Sequence, residues 1–118
     1  MALKVYQYPK CSTCRKALKW LDAADLDYSA PDITEHPPSK SELKKMLAHY
    51  NGEIKRLFNT SGQLYREFAI KDKLPAMSDA EAIDLLSQHG KLIKRPFLLA
   101  KDVGLVGFKE DEWKSALG

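Results

Sequence analysis

The apolar positions of this chain change period several times, and each change marks an element. Leu3-Lys4-Val5-Tyr6-Gln7-Tyr8 reads as a strand. Cys14, Ala17, Leu18, Leu21 and Ala24 then recur at helical spacing, which predicts a helix from about Thr13 to Ala24. Arg15, Lys16, Lys19 and Asp22 fall on its opposite side. Asp27 to Ile33 is a weak second strand, broken by Pro31. Pro37-Pro38 marks a loop, after which Ser39 and Glu42 have the spacing of a capping box. Leu43, Met46, Leu47 and Tyr50 form the buried stripe of the helix it opens, and Asn51-Gly52 ends that helix.

Ile54, Leu57 and Phe58 suggest a short helical turn, and Asn59-Thr60-Ser61-Gly62 a loop. Tyr65 to Phe68 reads as a short helix. Ser78 and Glu81 form a second capping box for a helix through Gln88, stopped by Gly90. Pro96 precedes a buried strand, Phe97 to Ala100. Gly104 turns into a second strand, Leu105 to Phe108, and the two pair as a hairpin. Lys109 to Leu117 closes the chain as a helix burying Trp113, Ala116 and Leu117. Trp20 and Tyr65 are expected to pack as well. The order strand, helix, strand, helical middle, strand, strand, helix is that of an α/β fold.

Length and charge narrow the picture modestly. The chain has 118 residues, enough for one domain with a core that needs no structural disulfide or metal. A formal net charge of +3 gives no case for direct nucleic-acid binding. Lys4 and Lys10 interrupt the start, so no signal peptide is read there, and no segment has the ~20 apolar residues of a membrane span. A cytoplasmic protein is expected. In that compartment a close cysteine pair is redox-active or metal-binding more often than structural.

Cys11 and Cys14 are the chain's 2 cysteines, and Ser12-Thr13 separates them. A C-x-x-C between a strand and a helix is where thioredoxin-like proteins keep a reactive disulfide. The i, i+3 spacing brings the sulfurs near enough for the roughly 2 Å S–S bond. Cys11, just before the first turn, meets solvent and the positive end of the helix. Lys10, Arg15 and Lys16 add positive charge, so Cys11 is expected to be a thiolate with a pKa below the ~8.5 of a free thiol. Cys14, on the core side, is the expected resolving thiol. Zinc would need about four ligands, and His36, His49 and His89 have no ligand spacing. Haem attachment needs a histidine where Arg15 stands. Two inert buried cysteines are the bland alternative, against which the helix-start position of Cys11 argues.

Tyr8-Pro9-Lys10-Cys11-Ser12-Thr13-Cys14-Arg15-Lys16-Ala17 resembles the opening of the ArsC/Spx family. Glu35-His36-Pro37-Pro38-Ser39 resembles the family's loop before its helical insert, Leu92-Ile93-Lys94-Arg95-Pro96 its Arg-Pro signature, and Val106-Gly107-Phe108 its last strand. The resemblance covers nearly the whole chain and looks most like short YusI-like members with two cysteines. It implies a thioredoxin-like fold, βαβ then ββα, with a helical insert over about residues 39–90. It also implies a cis Pro96 facing the cysteines and an Arg95 that holds an anion near Cys11.

Two functions follow from that resemblance. One is glutaredoxin-coupled arsenate reduction, which uses one cysteine and three oxyanion-binding arginines. Cys11 and Arg95 match, whereas Asn59 and Phe108 stand at the other two arginine positions, with Arg56 or Arg66 as possible substitutes. Missing guanidinium forks argue against arsenate. The other is the Spx-type regulator, which binds the RNA polymerase α subunit and carries C-x-x-C as a redox switch. Such regulators continue past the last helix, whereas this chain stops at Gly118. The expected activity is thiol–disulfide exchange by Cys11 and Cys14, with Lys10, Ser12, Thr13, Arg15, Arg95 and Pro96 as the substrate- or anion-binding set. No metal or organic cofactor is expected. The reductant would be an external thiol such as glutathione, glutaredoxin or thioredoxin, and the partner a small thiol or a protein disulfide. Asn59, Thr60 and Ser61 are placed to approach the cysteines from the insert.

Overall fold

The structure is a computed structural model that describes residues 3–117. Strand β1 (Leu3–Tyr6) leads to helix α1 (Ser12–Ala23) and a short strand β2 (Tyr28–Ser29). Helices α2 (Lys40–His49), α3 (Gln63–Glu67), α4 (Ile70–Lys73) and α5 (Asp79–Gln88) follow, with 3₁₀ turns at Ile54–Leu57, Leu74–Ala76 and Gly90–Leu92. Strands β3 (Phe97–Leu99) and β4 (Gly104–Val106) and helix α6 (Glu110–Leu117) complete the chain. The sheet order is β2-β1-β3-β4, with β1 parallel to β2 and antiparallel to β3, and β3 antiparallel to β4. This is the expected α/β arrangement, with four helices inserted between the βαβ and ββα halves.

Alternation along the strands divides the core in two. Leu3, Val5, Leu98 and Leu105 face one side, where Ala17 and Leu21 of α1 and Trp113 of α6 cover them. Tyr6, Phe97 and Leu99 face the other and meet the inserted helices through Leu43, Met46, Ile83 and Leu86. Both capping boxes form, Ser39 with Glu42 and Ser78 with Glu81, and fix where α2 and α5 begin. Glu42 does a second job: its carboxylate accepts from Tyr6 Oη at 2.7 Å and from Lys4 Nζ at 3.2 Å, so the start of α2 is clamped to β1. At the other end of α2, Tyr50 Oη accepts the Val106 N–H of β4 at 2.9 Å.

Several expected boundaries move. β1 stops at Tyr6; Gln7 makes only an isolated bridge to Asp32, and the chain turns at Pro9-Lys10. Ala24 is exposed, because α1 ends at Ala23 and the chain leaves through Asp25 at φ 56°. β4 ends at Val106 and not at Phe108, because Gly107 takes φ 72° and breaks the pairing. Ala116 is exposed on α6, and Leu117 is half-buried. Gly90 acts by close packing, since a Cβ there would lie 1.8 Å from the Ile33 carbonyl oxygen. Backbone cannot yield at such a distance, so Gly90→Ala should lower the unfolding free energy by about 2–3 kcal/mol. Ser39→Ala, which removes one cap, should cost about 1 kcal/mol. Urea denaturation of both variants tests the ordering.

Candidate active site

The cysteine pair is built by the start of α1. A tight turn carries the chain off the sheet, with the Cys11 N–H donating to the Tyr8 carbonyl at 2.9 Å. Cys11 is the N-cap residue, with extended backbone (φ −92°, ψ 116°), and its Sγ accepts the Cys14 N–H at 3.4 Å. A cysteine sulfur here occupies the place usually given to a serine or aspartate oxygen. Cys14 lies one turn on, fully buried, and the two cysteines approach to 3.3 Å. Both are free thiols.

Their environments push them apart. Burial pushes the Cys11 thiol up, but the Cys14 backbone N–H, the Cys14 side chain, the Arg95 charge and the Thr13 backbone N–H outweigh it and leave it below the ordinary value. Burial dominates at Cys14 and, with the neighbouring Cys11 sulfur opposing a second negative charge, pushes it up to about 12. One thiol is prepared to ionise and the other is kept protonated.

Cys11 opens into a cavity of about 800 Å³ between the insert and the β4–α6 connection. Thr13 lines it beside Cys11. The insert contributes Glu53, Lys55, Arg56 and the Phe58-Asn59-Thr60-Ser61 loop; Lys94 and Arg95 enter before β3; Val106 to Lys109 and Glu112 close the far side. A small ladder holds these segments together: Phe58 pairs with Ile93, the Asn59 N–H donates to the Leu92 carbonyl at 2.7 Å, and the Lys94 N–H donates to the Leu57 carbonyl at 2.8 Å. Arg56 pairs with Glu53 at 3.8 Å and Lys109 with Glu112 at 3.7 Å. Among the described residues, Lys55, Lys94 and Arg95 have no carboxylate partner, so the cavity beside Cys11 is cationic.

The structure gathers Cys11, Cys14, Thr13 and Arg95 at this site. The Arg95–Pro96 peptide bond is cis, and the buried Pro96 accepts the Gly107 N–H at 2.9 Å. Lys10, Ser12 and Arg15 do not line the cavity. They are exposed, and Arg15 Nη1 donates to the Pro9 carbonyl at 2.8 Å, bracing the turn. Asn59 and Phe108 both line the cavity, as does Arg56, whose guanidinium lies 4.6 Å from the Tyr50 ring centre; Arg66 does not line it. Lys55, Lys94 and Lys109 were not legible as site residues, because three separate segments deliver them. Lys94, next to Arg95, carried the one local signal. No group of three or more His, Cys, Asp or Glu side chains among the described residues could hold a metal ion. No helix among them is long and apolar enough to cross a membrane.

A cysteine at the helix start, an Arg-cis-Pro before β3 and four inserted helices together restrict the choice of family. The ArsC family model matches residues 6–116. The chain belongs to the ArsC family. Among its relatives is the uncharacterized protein YusI of Bacillus subtilis, 46% identical over 97% of each chain. The global transcriptional regulator Spx of Streptococcus mutans is 29% identical over 92% of this chain and 78% of its own. An ArsC family related protein from Bacteroides fragilis has a crystal structure that superimposes with a TM-score of 0.91, at 42% identity over 98% of this chain and 97% of that one. This ArsC-family chain is thus similar in sequence to both an uncharacterised relative and a transcriptional regulator, and family membership alone does not choose between roles.

The opposed thiol shifts have a stability signature. Cys14, raised in the fold, contributes stability that is complete below the unfolded thiol value of about 8.5 and is lost as pH rises from there. Cys11, lowered in the fold, contributes stability above the unfolded value that is lost as pH falls through its own. Cys14→Ala should therefore flatten the fall of stability between about pH 8.5 and 11. Cys11→Ala should instead remove a rise in stability that lies below about pH 8.5, between the lowered Cys11 value and that of the unfolded thiol. Urea midpoints measured on both sides of about pH 8.5 check the two slopes.

Proposed function

We propose that this chain is a thiol–disulfide oxidoreductase. The observation that carries the reading is the pairing of a capped, cavity-facing Cys11 with a buried Cys14 at 3.3 Å. The Cys11 thiolate attacks one sulfur of a substrate disulfide, RS–SR′. A Cys11–SR bond forms, the RS–SR′ bond breaks, and R′S⁻ leaves. Cys14 loses its proton to solvent and attacks Cys11 Sγ, releasing RS⁻ and leaving the Cys11–Cys14 disulfide. The substrate gains two electrons and the protein loses two. External thiols, such as glutathione or the dithiol of a thioredoxin, would restore the pair.

The cationic cavity supports an anionic partner for this chemistry, drawn in by Lys55, Lys94 and Arg95. Arsenate is the weaker candidate, because Asn59 and Phe108 line the same cavity and the one further guanidinium there, that of Arg56, is paired with Glu53 and lies over the Tyr50 ring, short of three free forks. A second reading is a redox-controlled binding protein, supported by the likeness to Spx. There the same disulfide would alter affinity for RNA polymerase α or another protein.

Cys14→Ser, expressed in cells, should carry a mixed disulfide on Cys11 that reductant releases, and mass spectrometry of the intact protein identifies it. A reductant-resistant protein partner with no covalent adduct would favour the binding protein. Kinetics give a second expectation. Burial, the larger cause of the Cys14 shift, persists after Cys11 has reacted, so resolution should be the slow step. Its rate should rise about tenfold per pH unit between pH 6 and 8, as the small thiolate fraction grows. Stopped-flow reduction of a chromogenic disulfide should show a first phase with a flatter pH dependence.

A further inference from the structure

We propose that Tyr8 is a positioning residue whose ring holds the Arg95 guanidinium beside the Cys11 sulfur. Two independent tethers converge there. Tyr8 is fixed to Cys11 by the tight turn, through the 2.9 Å bond from the Cys11 N–H to the Tyr8 carbonyl. Arg95 is fixed at its backbone by the Lys94 N–H to Leu57 carbonyl bond and by the cis peptide to Pro96. Its side chain is free of such ties. Among the described residues the guanidinium makes no ion pair and no side-chain hydrogen bond, and what lies against it is the Tyr8 ring, 5.1 Å from the guanidinium carbon.

Arg95 lines the Cys11 cavity and also a second cavity of about 350 Å³, which Tyr8 and Glu67 line as well. Among the described residues Glu67 makes no ion pair with Arg95, and the Tyr8 ring is the contact that fixes the guanidinium where the two cavities meet. The face of an aromatic ring does this without neutralising the charge, because it attracts the cation while leaving its N–H groups free. The other charged groups around Cys11 are Lys55, Arg56 and Glu53 from the insert, with Lys94, Lys109 and Glu112 across the cavity. Lys10 and Arg15 belong to Tyr8's own turn, where Arg15 Nη1 donates to the Pro9 carbonyl, so the Arg95→Gln background is what separates a route through Arg95 from a disturbance of the turn.

The inference rests on Cys11 being the attacking thiolate, but its test reads the thiol and not turnover, so the two fail separately. The midpoint of Cys11 ionisation is followed by the pH dependence of iodoacetamide alkylation on the full chain. Tyr8→Met should raise it by about half a pH unit, whereas Tyr8→Phe, which keeps the ring face, should leave it in place. In an Arg95→Gln background Tyr8→Met should add nothing. A series of fluorinated phenylalanines at position 8 keeps the shape while draining the ring face, and the midpoint should climb with each fluorine even if Tyr8→Met does not fold. An unmoved midpoint across the fluorinated series would overturn the proposal. So would a Tyr8→Met shift of the same size in the Arg95→Gln background.

Discussion

Helix α1 is capped by a sulfur, that of Cys11. In most helices the N-cap acceptor is an oxygen whose only task is to satisfy the first free N–H groups. Here Cys11 Sγ takes that place and accepts the Cys14 N–H at 3.4 Å. A thiolate accepts such a bond better than a thiol does, so the geometry that starts the helix also favours the charged sulfur. The same turn of helix carries Cys14 inward onto the core, where burial keeps it protonated. The start of the helix and the opposed thiol shifts are therefore set by one local event. Moving the helix start by one residue would lose the cap, the ionisation and the sulfur–sulfur approach together.

The rest of the site is assembled at long range. The ladder between Phe58 and Ile93 brings the loop after the first inserted 3₁₀ turn against the segment that delivers Arg95. The clamp of Glu42 onto Tyr6 and Lys4 holds the start of α2, and with it the insert, to β1. The inserted helices thus act as a wall of the cavity as well as a cover for one face of the sheet. Their cations stand opposite a sulfur that belongs to the βαβ half.

Local chemistry was legible in the sequence, and long-range delivery was not. Both capping boxes, the glycine turn after α2 and the short helix at Tyr65 follow from spacings of a few residues, and each occurs in the fold. The closeness of Cys11 and Cys14 was legible for the same reason, since it depends on three consecutive peptide bonds and a helix end. Arg15 shows the limit: it sits close to Cys11 in sequence, yet the turn it braces points it at the Pro9 carbonyl. Lys55 and Lys109 lie far from Cys11 in the chain, and only the folded cavity reveals them. Gly90 was legible as a breaker, but its reason, contact with the Ile33 carbonyl, lies fifty-odd residues away.

The hydroxyl of Tyr50 reaches the outer rim of the sheet and takes the Val106 N–H there. Gly104, at the other end of β4, packs beneath His49 and Met46 of α2. A strand arriving from another molecule would find this rim already occupied. Fibre-like growth is discouraged on that side, because an incoming strand would have to displace the Tyr50 hydroxyl from the Val106 N–H. Cys11 opens instead into the cationic cavity between the insert and the β4–α6 connection.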